Sequence, residues 1–185
     1  MKYNLIHSDQ FGFQKNSSTE MAISKVHQLL AENLDNNLVS CAIFLDIRKA
    51  FDSVNHQILI TKLYNLGIRG VPLQLLESFL SNRTQSVTIN NSTSSSKSTI
   101  CGVPQGSVLG PLFFLCYIND LPSMSSFQTT LFADDSCLIM SSPDAEMLQH
   151  RVNKELEKIS NWLSSNKLCL NYKKNSFSNY FKKIN

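Results

Sequence analysis

Three acidic residues lie at the ends of short apolar runs, and they constrain the fold of this chain more than any other feature. Asp46 ends the run of residues 41–45, and Asp134 and Asp135 separate the mainly apolar residues 130–133 from residues 136–139. Short apolar runs of this kind are typical of buried strands. A carboxylate beside a packed strand must be paired, hydrogen-bonded or bound to a metal, because an isolated buried charge is very costly.

These acids have separate structural explanations as well as a joint functional one. Asp134 and Asp135 fit an acidic hairpin turn, and Asp46 fits a helix N-cap or the end of a strand. Taken together, three acids at the ends of two apolar strands predict a site for two divalent cations, because hard oxygen ligands suit Mg²⁺. A pair of such ions, about 3.5–4 Å apart, is typical of enzymes that catalyse phosphoryl transfer.

Composition argues against several classes of protein. Of the 185 residues, 42% are hydrophobic and 17% are charged, which supplies a core and argues against a disordered chain. The longest apolar run, residues 111–118, is too short to span a membrane, and residues 1–10 lack the pattern of a secretory signal. Five scattered cysteines predict free thiols in a reducing, intracellular compartment, either nuclear or cytoplasmic, with no disulfide-linked partner.

The charge of the chain is distributed unevenly. Residues 158–185 hold six of the 17 basic residues and none of the 14 acidic residues. A basic end on a mildly acidic body is consistent with a polyanionic partner, but on charge alone a solvated lysine-rich tail is the favoured explanation.

Strand and helix signals alternate along the chain and predict an α+β fold, an antiparallel sheet with helices packed on one face. A capping box that begins at Ser17 and is closed by Glu20 predicts a helix over residues 17–33. Residues 85–90 and 99–103 are expected to form a hairpin with a loose tip at residues 91–98. The other predicted elements are a strand at 41–46, helices at 55–66, 72–80, 106–118 and from 144 onward, and two strands within 129–140.

Five segments resemble the sequence motifs of reverse transcriptases, in the order in which that family has them. They are residues 10–14 (QFGFQ), 44–56 (FLDIRKAFDSVNH, motif A), 102–111 (GVPQGSVLGP, motif B, with YINDL at 117–121), 132–135 (FADD, motif C) and 162–174 (WLSSNKLCLNYKK, motif D). FADD alone is a weak signal, but five segments in this order are a strong one. Their wording is most similar to the non-LTR, LINE-like retrotransposon branch, and the resemblance covers residues 9–175. Gln14 and Asn175 depart from it, since the family has Arg and Thr there.

The resemblance implies a right-hand-shaped polymerase whose palm carries the chemistry. Asp46, Asp134 and Asp135 map to the palm aspartates that hold two Mg²⁺ ions, with Mn²⁺ as an alternative ion. Lys174 maps to the motif D lysine, which would act as a proton donor or charge partner for the leaving pyrophosphate. A surface lysine in a basic tail is the alternative interpretation of Lys174.

The same resemblance implies how nucleotide and template are bound. Phe51 maps to the residue that closes under the incoming sugar, where a bulky ring excludes a ribose 2′-OH; a core phenylalanine is the alternative. Pro104, Gln105 and Gly106 map to the turn before the motif B helix. Gln105 would contact the nucleotide and its template base, and Gly106 would let the backbone approach them closely. The implied partners are an RNA template, a DNA primer and dNTPs, with no membrane.

Reverse transcriptases of this type have fingers elements before the QFGFQ segment and a thumb after motif D. The chain is therefore expected to be a single, incomplete reverse transcriptase domain. Part of the fingers is expected over about residues 1–40, the palm over 41–175 and a basic tail over 176–185, with the missing elements elsewhere in the full-length protein. Two other functions stay open. One is an inert retrotransposon relic that binds nucleic acid weakly, and the other is an RNA-dependent RNA polymerase, against which Phe51 and the AFD wording argue.

Overall fold

The computed structural model describes residues 5–171, which form helices and antiparallel strands. The helices are α1 (Thr19–Asp35), α2 (His56–Asn65), α3 (Val71–Leu80), α4 (Leu109–Ile118) and α5 (Ala145–Ser165), with 3₁₀ helices at Ala50–Ser53 and Leu121–Ser123. The strands are β1 (Val39–Asp46), β2 (Thr84–Gln85), β3 (Thr88–Ile89), β4 (Ser92–Thr93), β5 (Lys97–Ser98), β6 (Gln128–Phe132) and β7 (Asp135–Ser142).

The main sheet has three antiparallel strands in the order β1-β7-β6. The register of β1 and β7 runs from Val39 opposite Ser142 to Asp46 opposite Asp135. Strand β6 ends with Phe132 opposite Asp135, so a tight turn joins β6 to β7. The predicted pair of strands around the two adjacent acids is therefore confirmed.

Both faces of the main sheet are in contact with helices. Because successive side chains of a strand point to opposite faces, Leu45 and Leu138 lie on one face, where they join the main core together with Ile159 of α5. Helices α2 and α4 contribute apolar residues to the same core. On the other face, Ser141 Oγ and Asn33 Oδ1 of α1 are hydrogen-bonded at 3.2 Å. The predicted α+β fold with an antiparallel sheet is confirmed, and α1 adds a layer to the one-face arrangement that the sequence predicts.

Helix α1 begins one residue later than the capping box predicts. Ser18, not Ser17, is the N-cap: its backbone is extended and its Oγ accepts a hydrogen bond from Met21 N at 3.3 Å. Glu20 makes its bond to the Ser18 hydroxyl, which donates to Glu20 Oε2 at 3.0 Å. Two adjacent serines both satisfy the preference for a hydroxyl at the N-cap, and the conformation of the entering chain selects between them.

The predicted hairpin exists, but the prediction of its return strand over residues 99–103 is wrong. Asn90 and Asn91 both have positive φ, at 45° and 64°. A two-residue turn of this kind reverses the chain at once, so β3 pairs with β4 and β2 with β5. Part of the expected loose tip is therefore strand, and within 99–103 Cys101 makes only an isolated bridge with Asn55.

The core is formed around helix α4, in which residues 113–118 are all buried. Three of the five cysteines, Cys41, Cys116 and Cys137, are buried, and all five are free thiols. Burial raises the pKa of both Cys116 and Cys137 to about 11. Among residues 5–171, no helix combines the length and hydropathy that a membrane span requires.

Candidate active site

The three acids predicted to bind metal lie at one end of the main sheet. Asp46 is the last residue of β1 and lies directly opposite Asp135, the first residue of β7. Their Cα atoms are therefore about 4.5–5.5 Å apart, and their side chains leave the same face of the sheet. Asp134 immediately precedes Asp135 in the turn between β6 and β7, where Ala133 has a φ of 54°. Asp135 is exposed, whereas Asp46 and Asp134 are half-buried.

The chemistry of these donors fits a hard divalent cation. Mg²⁺ in nucleotide enzymes is commonly held by one or two carboxylates, and water and substrate phosphates complete its shell. The opposed Asp46 and Asp135 form such a pair. Within residues 5–171, no group of three or more His, Cys, Asp or Glu side chains is arranged to hold a metal ion by itself. Water molecules or oxygens of the substrate would therefore complete any metal site here.

The end of β1 is also bound by the segment that follows α5. Arg48 N donates to Cys169 O at 2.8 Å, and Ile47 forms an antiparallel bridge with Leu170. Asn171 contacts Asp46 twice: its backbone N donates to Asp46 O at 2.9 Å, and its Nδ2 donates to Asp46 Oδ2 at 3.2 Å. Asn171 lies within the predicted motif D segment, but no pattern in the sequence indicates that it reaches Asp46.

The turn between β6 and β7 is held by the N-terminal segment. Gln10 is buried, and its Oε1 accepts hydrogen bonds from Gly12 N at 2.8 Å and from Ala133 N at 3.0 Å. The backbone of residues 9–11 exchanges two further hydrogen bonds with Leu131, of 2.8 and 2.9 Å. The QFGFQ resemblance identifies this segment, but its support of the turn is visible only in the tertiary structure.

Phe51 combines the two interpretations that its sequence position allows. It lies half-buried in the 3₁₀ helix that follows Asp46. Its ring packs against Phe114 of the core, with centroids 4.9 Å apart, and meets Phe13 edge-on, with centroids 6.5 Å apart. The core contact on one side holds the ring in place, and the part of the ring that remains exposed is available to a ligand.

The turn formed by Pro104, Gln105 and Gly106 lies outside α4, which begins at Leu109 and not at residue 106 as predicted. Gly106 has a φ of 79°, and a Cβ on it would meet no atom within 4 Å, so the space above it is open. Pro104 O accepts hydrogen bonds from Ser107 N at 3.2 Å and from its Oγ at 2.7 Å. These bonds close the turn and delay the start of the helix.

Gln105 is oriented by a residue to which the sequence analysis gave no role. Its Nε2 donates to Asp52 Oδ1 at 2.9 Å, and both side chains are exposed. An ionised carboxylate can only accept hydrogen bonds, so this contact fixes which end of the Gln105 amide faces Asp52. The amide oxygen is thereby turned away from Asp52 and presented as an acceptor.

Backbone hydrogen bonds join the Phe51 segment to the Gln105 turn. Val103 N donates to Phe51 O, and Gly102 N donates to Val54 O, both at 2.8 Å. A Cβ on Gly102 would lie 3.0 Å from the Asp52 backbone, and Gly102 has a φ of 87°. The two predicted nucleotide-binding segments therefore form one unit, which requires glycine at this position.

A half-buried lysine joins three helices of the core, and sequence reasoning missed it. Lys62 Nζ of α2 donates to Tyr117 O at 2.6 Å and to Asp120 Oδ1 at 2.7 Å. It also lies 5.0 Å from the ring centroid of Trp162 in α5. Burial lowers the pKa of Lys62, and the bond to Asp120 opposes that effect. Because Tyr117 and Trp162 are residues of the core, these contacts give Lys62 a structural role.

The predicted Lys174 and the basic tail over residues 176–185 lie outside the described residues, which end at Asn171. The proposed role of Lys174 therefore stays a prediction. The same holds for the division of the chain into fingers, palm and tail.

A family model described as reverse transcriptase (RNA-dependent DNA polymerase) matches residues 1–184. The RNA-directed DNA polymerase from mobile element jockey of Drosophila melanogaster is 30% identical over 176 residues, which cover 89% of this chain and 19% of that protein. Its counterpart from Drosophila funebris is 36% identical over 135 residues, which cover 73% of this chain and 14% of that protein. The probable RNA-directed DNA polymerase from transposon BS of D. melanogaster is 30% identical over 166 residues, which cover 85% and 18%. The chain thus spans less than a fifth of these relatives.

The fold resembles that of telomerase. The structure of telomerase from Candida tropicalis in complex with a TWJ fragment of telomeric RNA superposes with a TM-score of 0.68 over 94% of this chain and 30% of that chain, at 16% identity. Apo telomerase from the same organism, truncated from the C-terminal domain, superposes with a TM-score of 0.62 over 90% of this chain and 35% of that chain, also at 16% identity. At this identity the likeness concerns the fold alone, and it supports the predicted polymerase palm.

Proposed function

Because the chain belongs to the reverse transcriptase (RNA-dependent DNA polymerase) family, we propose that it is the catalytic palm of an enzyme that copies RNA into DNA. The observation that carries this proposal is the register that puts Asp46 opposite Asp135, with Asp134 in the adjoining turn. Its substrates are an RNA template, a DNA primer and dNTPs, and the elements that complete the grip on nucleic acid belong to the full-length protein.

Asp46, Asp134 and Asp135 are the residues that would hold divalent cations, two Mg²⁺ ions or Mn²⁺ in their place. When bound, these ions lower the pKa of the primer 3′-OH and neutralise charge on the triphosphate during in-line displacement. The opposed strands supply the carboxylates from a rigid sheet, which reduces the reorganisation needed when substrate binds. Lys174 is the proposed charge partner or proton donor for the leaving pyrophosphate.

Phe51 and the Gln105 turn form the proposed nucleotide pocket. The exposed part of the Phe51 ring would lie under the sugar and exclude a 2′-OH, because Phe114 prevents the ring from retreating. Gln105 would accept a hydrogen bond from the nucleotide or its paired base through the oxygen that Asp52 turns outward. The open space above Gly106 would admit the backbone of a nucleic acid strand.

Primer extension by the full-length protein on an RNA template with dNTPs and Mg²⁺ tests the proposal. We expect Asp134→Asn to lower the extension rate by about 100-fold or more, because several kcal/mol of transition-state stabilisation depends on bound metal. Asp35→Asn is the matched control, since it makes the same change at the exposed end of α1, and it should extend at the wild-type rate.

The result distinguishes the enzyme from an inert relic. If the full-length protein that contains this chain binds RNA in a salt-sensitive manner but incorporates no dNTP at any enzyme concentration, the relic is the correct interpretation. If Asp134→Asn extends primers as fast as the wild type, the assignment of the metal ligands is wrong.

A further inference from the structure

Asp46 is a proposed metal ligand that two other parts of the chain contact. It closes β1, it lies opposite Asp135, and Asn171 contacts it with both its backbone and its side chain. Any residue except proline at position 171 would supply the backbone N–H. The side-chain bond from Nδ2 to Oδ2, at 3.2 Å, requires a donor group on the side chain.

We propose that Asn171 is a positioning residue that fixes the orientation of the Asp46 carboxylate for metal binding. This inference rests on the proposed metal-binding role of Asp46. An ionised carboxylate only accepts hydrogen bonds and has about four lone-pair sites. The Asn171 amide therefore donates to the carboxylate at Oδ2 and leaves its negative charge in place.

The chemistry of an amide suits this position better than that of a charged donor. A lysine or arginine would offset the negative charge that attracts the cation, whereas the Asn171 amide is neutral and restricts rotation without removing charge. The backbone bond at 2.9 Å holds Asn171 against the same residue that its side chain contacts. The two bonds together fix the amide relative to Asp46.

The connection also joins two parts of the chain that are far apart in sequence. Asn171 follows α5, and the bridge between Leu170 and Ile47 places it beside β1. Asp46 and Asn171 are both half-buried. The hydrogen bond between their side chains is therefore partly shielded from water and is stronger than a fully exposed one. Groups that orient metal ligands in this way contribute about 10-fold to 100-fold to metal affinity.

Titration with Mn²⁺, followed by the loss of the free-ion EPR signal, tests the inference without requiring polymerase activity. The 185-residue chain is compared with Asn171→Ala, Asn171→Ser and Asp46→Asn. Asn161→Ala is the matched control, because it removes an asparagine side chain from the exposed face of α5. Circular dichroism and thermal unfolding establish that each variant is folded.

We expect Asn171→Ala to weaken Mn²⁺ binding by about 10-fold or more while its unfolding midpoint stays near the wild-type value. Asn171→Ser, which keeps a shorter donor, should lie between Asn171→Ala and the wild type, and Asn161→Ala should bind as the wild type does. Equal affinity of Asn171→Ala and wild type, with binding lost in Asp46→Asn, overturns this inference alone. If the wild type binds Mn²⁺ no better than Asp46→Asn, then Asp46 is not a metal ligand, and the proposed function fails together with the inference.

Discussion

Replacing Gly12 by alanine tests whether the N-terminal segment holds the turn that carries Asp134. A Cβ at this position would overlap Ala133 N and would lie 3.0 Å from the Phe132 carbonyl carbon and 3.1 Å from Ala133 Cα. All three contacts are with backbone, so no side chain can rotate away. To restore ordinary contact distances, the two backbones must separate by roughly 1 Å.

The cost of that separation follows from the hydrogen bonds it breaks. Gln10 Oε1 accepts from both backbones, at 2.8 Å from Gly12 N and 3.0 Å from Ala133 N, and it cannot reach both once they move apart. A lost buried hydrogen bond costs about 1–1.5 kcal/mol, and overpacking adds about 1–3 kcal/mol. Alanine also lowers the conformational entropy of the unfolded chain, and this offsets less than about 1 kcal/mol of the lost stability. We therefore expect Gly12→Ala to lower the free energy of unfolding by about 3 kcal/mol.

Urea unfolding followed by far-UV circular dichroism measures this loss. Gly67→Ala is the matched control, since Gly67 has a φ of 97° and a Cβ there meets no atom within 4 Å. It should cost only the strain of a left-handed backbone, about 1–2 kcal/mol. A loss below about 1 kcal/mol for Gly12→Ala would refute the close approach between the N-terminal segment and the turn.

Three further predictions concern the nucleotide pocket and the core. Phe51→Val should lower the preference for dNTP over NTP by about 10-fold or more, measured as the ratio of kcat/KM values, because the smaller side chain leaves room for a 2′-OH; an unchanged ratio would contradict the steric role. Asp52→Ala should raise the KM for dNTP by about 3-fold to 10-fold with little change in kcat, since one orienting hydrogen bond is lost. Combining Asp52→Ala with Gln105→Ala should add little beyond Gln105→Ala alone, and additive effects would show that the pair is not coupled. Burial raises the pKa of Cys116 and Cys137 to about 11, against an ordinary value of 9.0. As the pH rises, these thiols therefore ionise at a lower pH in the unfolded chain than in the folded protein. Stability should therefore fall between pH 9 and pH 11, by on the order of 2–3 kcal/mol for each thiol. In urea unfolding under reducing conditions, Cys137→Ala should lose less stability between pH 9 and pH 11 than the wild type does. Equal losses in the two proteins would exclude this thiol as a cause.

Much of the framework could be predicted because it depends on interactions that are local in sequence. The apolar runs on either side of Asp134 and Asp135 predict two strands, and the hydrophobic period after Asp144 predicts α5. In the structure Asp144 is the N-cap of that helix. The hairpin prediction failed in its return strand because a polar segment was assigned to a loop. Asn90 and Asn91, which tolerate positive φ, turn the chain tightly enough for those polar residues to pair.

The candidate site was predicted less completely than the fold. Asp46, Phe51 and Gln105 were identified through the motifs, and the register confirms that Asp46 and Asp135 lie together at one end of the sheet. The groups that hold them were not identified. Gln10 and Asn171 reach the site from opposite ends of the described chain, and no periodicity or spacing in the sequence encodes a contact over such a distance.

The sequence by itself determined the family, the strands and helices of the palm, and the identity of the acids, because these depend on residue type and on spacing over a few positions. Only the tertiary structure decided which carboxylates lie opposite each other, that α1 covers the second face of the sheet, and that Asn171 contacts Asp46. The physical reason is that strand register and long-range hydrogen bonds are selected by how the whole core packs. A shift of one residue in β7 would place Ser136 opposite Asp46 and turn Asp135 to the other face.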